Sequence, residues 1–164
     1  MLRLQREGPM ATTNVTVGQA APDFTAPRTG GGEFRLSDLK GKSAVVLYFY
    51  PKDETPGCTA EACTFRDSYE IFLEAGAEVV GVSGDSVASH ERFAEHHGLP
   101  FILVSDKGGA LRRLYGVRPT LGIWPARVTF VVDKSGIVRH VFSSQTDAVR
   151  HVEEALNTLR TVAP

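Results

Sequence analysis

The alternation of apolar and polar residues along the chain predicts strands that alternate with helices. Apolar runs rich in β-branched and aromatic residues predict five strands. These strands lie at residues 45–50, 77–83, 100–104, 128–132 and 137–142. Segments with helical spacing and typical start and stop residues predict four helices, at residues 56–75, 86–97, 109–115 and 146–161. The last of these is expected to bury one apolar side, formed by Val149, Val152, Leu156 and Leu159. This order predicts an α/β fold in which helices flank a central mixed sheet.

Shorter segments predict features outside this framework. Residues 22–27 and 33–36 predict an N-terminal β-hairpin, because the glycines between them favour a turn. Residues 15–18 predict a short edge strand, and residues 118–125 predict a loop. Residues 133–136 have the composition of a tight turn and predict a second hairpin between the last two strands.

Length and composition predict a single globular domain. The chain has 164 residues, of which 42% are hydrophobic and 23% are charged, and a soluble domain of ordinary size has these proportions. We expect residues 14–164 to form one domain. Residues 1–13 are expected to be a disordered tail or a cloning remnant, with Met10 as the expected native start.

Charge and cysteine content narrow the classes of partner and the expected compartment. A net charge of −1 gives no electrostatic reason to expect nucleic acid or an anionic membrane as a partner. No apolar run is long enough to cross a bilayer, and the first residues lack the apolar segment of a secretory signal. Two cysteines are too few for a disulfide framework, so a reducing, cytoplasmic compartment is expected.

One cysteine lies where a helix start would make its thiol reactive. The first central strand ends at Pro51, and Thr55 followed by Pro56 is a typical N-cap and first helical residue. Cys58 then falls in the first turn, where backbone N–H groups lack helical partners and carry the positive end of the helix dipole. This position favours the thiolate, the nucleophilic form. The alternative is a small core residue, because Cys58 also belongs to an apolar stripe of the helix that includes Ala62, Phe65, Tyr69, Phe72 and Leu73.

The second cysteine, Cys63, lies on another face of the same predicted helix. It is about 140° around the helix axis from Cys58 and falls among charged residues. An incidental exposed thiol is one interpretation. Because an exposed free thiol is readily oxidised, a resolving partner for Cys58 is the favoured interpretation.

The sequence around Cys58 resembles that of the peroxiredoxins, and most closely the bacterioferritin comigratory protein (peroxiredoxin Q) group. Pro51, Thr55 and Cys58 match the family pattern Pro-x-x-x-Thr/Ser-x-x-Cys, and Cys63 matches the second cysteine of this group. Arg127, which opens a predicted strand, matches the distant arginine of the family. The resemblance extends over residues 17–159 and implies a thioredoxin-like fold.

The resemblance also implies a function and the residues that perform it. The chain would be a thiol peroxidase that reduces hydrogen peroxide and organic hydroperoxides in antioxidant defence. Cys58 would be the peroxidatic cysteine and Cys63 the resolving cysteine of the same chain. Thr55 would bridge thiolate and peroxide, Arg127 would favour the thiolate, and Pro51 would shield it from solvent.

The implied partners follow from the same resemblance. Thioredoxin or a similar dithiol protein would recycle the enzyme, which would need no metal, haem or flavin. A monomer is expected, because a disulfide within one chain needs no partner subunit.

The implied disulfide requires a change of conformation. In a regular helix the Cα atoms of Cys58 and Cys63 would lie roughly 8.6 Å apart. A disulfide needs a Cα separation of about 4.4–6.8 Å. We therefore expect the first turns of the helix to unwind after Cys58 is oxidised.

Two other functions that use cysteine pairs fit the sequence less well. A general disulfide oxidoreductase usually has Cys-x-x-Cys, with both sulfur atoms near one helix start. A copper-binding assembly module on a related fold needs Cys-x-x-x-Cys and a distant histidine. The longer spacing between Cys58 and Cys63 argues against both.

The other residues with reactive or aromatic side chains give weaker signals. Five histidines show no metal-ligand spacing and are expected to be solvated: His90, His96, His97, His140 and His151. Four aromatic residues are expected to pack rather than to bind a cofactor: Tyr48, Phe49, Tyr50 and Trp124. Asp53 and Glu54 precede Thr55 and are expected to oppose thiolate formation.

Overall fold

A computed structural model describes residues 14–119 and 126–162. The expected tail at residues 1–13, most of the predicted loop at 118–125, and Trp124 lie outside the described residues. The strands are β1 (Thr25–Pro27), β2 (Glu33–Arg35), β3 (Ala44–Phe49), β4 (Ala77–Ser83), β5 (Ile102–Ser105), β6 (Val128–Val132) and β7 (Val138–Ser143). The helices are α1 (Pro56–Asp67), α2 (Tyr69–Glu74), α3 (Val87–His97), α4 (Ala110–Tyr115) and α5 (Ala148–Thr161), and a 3-10 turn covers Leu36–Leu39.

The central sheet has five strands in the order β5-β4-β3-β6-β7. The β3–β4 and β4–β5 pairs are parallel, whereas β3–β6 and β6–β7 are antiparallel. The N-terminal strands β1 and β2 form a separate antiparallel hairpin. The prediction of a mixed central sheet with an N-terminal hairpin is confirmed.

Strand β3 is buried on both faces and organises the core. Val46 and Tyr48 face the side covered by α1, α3 and α5, whereas Leu47 and Phe49 face the N-terminal hairpin and α4. Every residue of β3 is buried, because helices or the hairpin cover both faces of the sheet at its centre. Tyr48, Phe49 and Tyr50 pack in this core as predicted.

The ends of α3 are formed by the residues that the sequence indicates. The Ser86 hydroxyl oxygen accepts a hydrogen bond from the Ser89 backbone N–H at 3.1 Å, as an N-cap does. Gly98 ends the helix in the left-handed conformation, with φ of 61°. Local capping therefore fixes where α3 begins and ends.

The helix predicted at residues 56–75 is two helices, because the chain bends at Ser68. Ser68 has φ of −104° and ψ of 5° and separates α1 from α2. A single helical wheel therefore does not extend beyond Ser68. Leu73, expected on the apolar stripe, is 47% exposed, whereas Phe72 is buried.

Two smaller predictions are also wrong. Residues 15–18 form an irregular segment that leads into a turn at 17–18 rather than an edge strand, and the pairing nearby is an isolated bridge between Ala20 and Ile137. Val149, placed on the buried side of α5, is 44% exposed, whereas Val152 and Leu159 are buried as expected. Of the helices in the described part of the chain, none has the length and apolar content needed to cross a membrane.

Candidate active site around Cys58

The first turn of α1 lies beyond the carboxyl end of β3. Thr55 is the N-cap residue, with φ of −80° and ψ of 152°, and Pro56 is the first helical residue, as predicted. The backbone hydrogen bond from Thr59 N to Thr55 O, at 2.8 Å, closes the first turn. The N–H groups of Gly57 and Cys58 precede that bond, so they lie at the positive end of the helix dipole.

The thiol of Cys58 is buried and lies beside a positively charged side chain. Cys58 is 1% exposed and belongs to the same core cluster as Tyr48, Ala62 and Phe65. The Arg127 guanidinium reaches the sulfur from β6, with Nη2 donating to Sγ at 3.5 Å. Cys58 is therefore a core residue whose thiol lies against a cation, and its place in the core is compatible with the predicted reactive thiol.

Sheet register brings Arg127 to Cys58 across 69 positions of sequence. Phe49 pairs with Val128, so the chain that enters β6 runs beside the chain that leaves β3. A Cβ atom at Gly57 would lie 3.0 Å from Arg127 Nη2, so glycine leaves room for the guanidinium. Burial alone lowers the pKa of Arg127, but Glu61 and Cys58 outweigh burial and raise it, so Arg127 stays charged.

A buried carboxyl group, Glu61, shares the guanidinium with Cys58. Arg127 Nη1 donates to Glu61 Oε1 at 2.6 Å, and the Glu61 side chain is fully buried. Glu61 Oε2 has no hydrogen-bond partner among the described residues. Burial raises the pKa of Glu61 to about 8, although Arg127 acts to lower it. Because an uncharged carboxyl oxygen also accepts a hydrogen bond, the contact with Arg127 persists when Glu61 is protonated.

Sequence reasoning assigned no role to Glu61, although its position carries a signal. It lies three residues after Cys58, and so nearly one helical turn away, beside Ala62 on the apolar side of α1. A carboxyl group on the buried side of a helix requires a partner from another element.

His151 packs near Glu61 without supplying a positive charge. Its Nε2 donates to Ser144 O at 2.8 Å, and its Nδ1 lies 2.8 Å from the Thr129 hydroxyl. Burial lowers the pKa of His151 to about 4, so the ring is neutral and Nδ1 accepts from Thr129. Nδ1 lies 3.7 Å from Glu61 Oε2 and has no proton to donate to it. The expectation that His151 is solvated is wrong, because it lies on the inner face of α5.

Glu61→Gln is expected to flatten the pH dependence of stability between about pH 6.5 and 8. A carboxyl group with its pKa raised to about 8 stabilises the fold fully below its ordinary value of 4.5, and this contribution is lost as the pH rises to about 8. His151 changes stability only below its ordinary pKa of 6.5. The free energy of unfolding, measured with urea, should fall by roughly 1 kcal/mol for each unit that the pH rises with glutamate at position 61. It should fall much less with glutamine at that position.

The comparison is made in a Cys58→Ser background, which removes the titration of that thiol from both proteins. Glu78→Gln serves as the control, because Glu78 lies outside the core cluster and bonds the Tyr69 hydroxyl at 2.6 Å. Equal slopes with glutamate and glutamine at position 61 would contradict the buried proton.

Thr55 and Pro51 occupy the predicted positions, with one difference. The Thr55 hydroxyl donates to Lys52 O at 2.9 Å and accepts no capping hydrogen bond. Its one proton is therefore used within the loop, and its lone pairs remain to accept a hydrogen bond from a ligand. Pro51 is half-buried where the chain leaves β3.

A second arginine, Arg112, forms hydrogen bonds to both chain segments that meet at the site. Arg112 Nη2 donates to Tyr50 O at 2.7 Å, and Nη1 donates to Ala126 O at 3.3 Å. The first acceptor precedes Pro51 and the second precedes Arg127, so Arg112 connects the two halves of the site. Burial lowers the pKa of Arg112, and the charges of Asp106 and Cys58 oppose this effect.

Both acidic residues before Thr55 are turned toward histidines of α3. Asp53 is buried and accepts from His90 Nδ1 at 2.7 Å and from the Tyr50 hydroxyl at 2.6 Å. Burial raises the pKa of Asp53, but these bonds and one from Ser89 outweigh burial and lower it. His90 Nε2 lies 3.0 Å from Val104 O, so both ring nitrogens of His90 face an oxygen acceptor. His90 is therefore a buried partner of Asp53, and the expectation that it is solvated is wrong.

Cys63 lies in α1 with Cys58, and both cysteines are free. Cys63 is half-buried, whereas Cys58 is buried. The structure thus brings Cys58, Arg127 and Glu61 together and leaves Cys63 about a helical turn and a half away on another face. This arrangement is suited to a thiolate that reacts first and a second thiol that reacts after the helix opens.

Comparisons with known proteins agree with this geometry. The model of the AhpC/TSA family matches residues 17–141. A chloroplastic peroxiredoxin Q of Populus jackii is 50% identical over 149 residues, which are 90% of this chain and 70% of that protein.

Solved structures show the same likeness. Peroxidoxin BcpB from Mycobacterium tuberculosis is 40% identical, with a TM-score of 0.84 over 92% of this chain and 100% of that chain. A bacterioferritin comigratory protein from Xanthomonas campestris, described as having alkyl peroxide reduction activity, is 33% identical, with a TM-score of 0.80 over 93% of this chain and 99% of that chain. The chain therefore belongs to the AhpC/TSA family, as a peroxidase of the peroxiredoxin Q type with a thioredoxin-like fold.

Proposed function

We propose that this chain reduces hydrogen peroxide and organic hydroperoxides through Cys58, and that Cys63 resolves the oxidised Cys58 within the same chain. The observation that carries the proposal is the 3.5 Å contact between Arg127 Nη2 and Cys58 Sγ in the first turn of α1. A fixed cation and the N–H groups of the first helical turn lie there, and both favour a negative sulfur.

The first step transfers one oxygen atom to sulfur. The Cys58 thiolate attacks the nearer peroxide oxygen, the O–O bond breaks, and Cys58 becomes a sulfenic acid while hydroxide or alkoxide leaves. The leaving oxygen takes up a proton and departs as water or an alcohol. Arg127 and the N–H groups of Gly57 and Cys58 stabilise its developing charge. Thr55 accepts a hydrogen bond from the peroxide, and Pro51 limits the access of water.

The second step forms the disulfide. The Cys63 thiol attacks the Cys58 sulfenic acid, water leaves, and a Cys58–Cys63 bond results. A dithiol reductant such as thioredoxin then exchanges with this bond and restores both thiols. In a regular helix the two Cα atoms are roughly 8.6 Å apart, too far for a disulfide, so the first turns of α1 must unwind. Gly57 and the unused capping position of Thr55 lower the cost of that opening.

Peroxide-treated protein is expected to contain a disulfide within one chain and to exchange amide protons faster over residues 57–65 than reduced protein. One equivalent of peroxide should consume both thiols, and thioredoxin with its reductase should restore them. Peptide mass mapping locates the bond, and hydrogen exchange by mass spectrometry follows the helix. Cys63→Ser is the control, because it should stop at the sulfenic acid and keep the exchange of the reduced protein. A disulfide between two chains, or unchanged exchange, would rule out this mechanism.

The partners and compartment complete the proposal. The chain acts as a monomer in a reducing compartment, with a hydroperoxide as substrate and without nucleic acid or a membrane surface. Its net charge of −1 and its two free cysteines support this assignment. The plant relatives are named as chloroplastic, so the cytoplasmic assignment of this chain rests on its own cysteine content.

A further inference from the structure

Three potential metal ligands converge beside the loop that precedes α1. Glu54 carboxylate oxygens lie 3.0 Å from His96 Nδ1 and 3.0 Å from His97 Nε2. The three ligand atoms lie within 4.8 Å of one another. The side chains of Glu54 and His96 are exposed, and that of His97 is partly exposed, so an ion from solvent has direct access.

Sequence spacing does not reveal this cluster. The carboxylate precedes the histidines by 42 and 43 positions and comes from a different element. Consecutive side chains on a helix normally diverge by about 100°. Here the two rings lie at the last turn of α3, with centroids 4.1 Å apart, and both face the same carboxylate.

The donor set suits a divalent transition metal ion. Two imidazole nitrogens and one carboxylate oxygen form the three-ligand zinc set that leaves a fourth position for water. Hydrogen bonds from His97 and His96 lower the pKa of Glu54, so its carboxylate is ionised near neutral pH. Each imidazole binds a metal through an unprotonated nitrogen, so the ion would displace any proton that now bridges a histidine and Glu54.

We propose that Glu54, His96 and His97 form a binding site for Zn²⁺ or a similar divalent transition metal ion. The site goes beyond the peroxidase reaction, which uses none of these residues. Glu54 directly precedes Thr55, the N-cap of α1, whereas both histidines belong to α3. A bound ion therefore ties the start of α1 to α3 and opposes unwinding of the first turn.

A pair elsewhere in the chain provides a matched control. His140 Nε2 contacts Glu154 Oε1 at 2.7 Å, so this pair has the same chemistry with one histidine fewer. Two ligands bind zinc much more weakly than three, because each protein ligand replaces a water molecule. His140→Gln should therefore leave tight binding unchanged.

The test is a Zn²⁺ titration of the untagged full-length chain with Cys58→Ser and Cys63→Ser, which removes both thiol ligands. Isothermal titration calorimetry should give one Zn²⁺ per chain. Glu54→Gln, His96→Gln and His97→Gln should each weaken binding by at least tenfold, whereas His140→Gln should not. No binding of Zn²⁺, or binding that survives all three substitutions, would overturn the site.

Amide exchange of the same thiol-free protein tests the link to α1. Zn²⁺ should slow exchange over residues 57–63 at least threefold, and His96→Gln should abolish the effect. Binding without slower exchange would overturn the tie between α3 and α1. Neither measurement uses peroxide, so a failure of this site is distinguishable from a failure of the proposed function.

Discussion

Cys58→Ser is expected to abolish peroxide turnover, with a loss of about 10³-fold or more. A serine hydroxyl stays protonated near neutral pH, so Arg127 and the helix dipole have no thiolate to stabilise. Serine is close to cysteine in size, and the Arg127 guanidinium that contacts Sγ can donate to a serine hydroxyl at this buried position. The fold should therefore persist, and the loss should be chemical.

Peroxide consumption coupled to thioredoxin, its reductase and NADPH measures this loss. Cys63→Ser is the matched control, because it removes the other thiol of the same helix. Its first reaction with peroxide should proceed at the wild-type rate, whereas its turnover with thioredoxin should fail. Turnover that persists in Cys58→Ser would show that another group attacks the peroxide.

Arg127→Ala is expected to slow the first oxidation of Cys58 by roughly 10²- to 10³-fold, which is the usual cost of removing one donor from a developing oxyanion. The substitution removes the cation that bonds Sγ, so the attacking sulfur and the departing oxygen both lose a fixed positive charge beside them. It also leaves Glu61 buried without its partner. Breaking a buried ion pair costs up to roughly 3–5 kcal/mol, although protonation of Glu61 reduces this cost.

Two further variants separate these effects. Arg127→Ala combined with Glu61→Gln removes the titrating carboxyl group as well, and oxidation should stay slow, because the cation beside Sγ is still missing. Arg139→Ala is the control, because it breaks an exposed pair with Asp133 at the neighbouring strand. Stopped-flow oxidation measures the rate of the first step. The rate of thiol alkylation at pH 7 measures how reactive the Cys58 sulfur is without peroxide. Wild-type rates in the double variant would mean that Arg127 only neutralises Glu61.

The sequence predicted the elements of this fold better than the surroundings of its charged residues. Runs such as Ala77–Ser83 are predictable, because apolar β-branched residues between turn signals have few alternatives to a buried strand. Thr55 and Pro56 likewise fix the start of α1 by local chemistry alone. Their spacing therefore indicated the first-turn position of Cys58 before any tertiary contact was known.

Charged and imidazole side chains were harder to place, because their partners are distant in sequence. Glu61 is buried only because Arg127 crosses from β6, and His90 only because Asp53 turns inward from the loop. A histidine that looks solvated by composition becomes a core residue once a carboxylate faces it. The predicted burial of Leu73 is wrong for a different reason, because the bend at Ser68 changes which face of α2 packs against the core.

The bend at Ser68 has a consequence for how far the opening of the peroxide-oxidised helix can spread. Helix formation is cooperative, so a loss of structure at one end of a continuous helix lowers the stability of the turns that follow. Ser68 interrupts that cooperativity, and Phe72 in α2 remains anchored in the core. The bend thus limits how far unwinding of α1 can spread along the chain. In the proposed mechanism, each catalytic cycle would unwind a segment of α1 while α2 stays packed in the core and gives α1 a fixed end from which to reform.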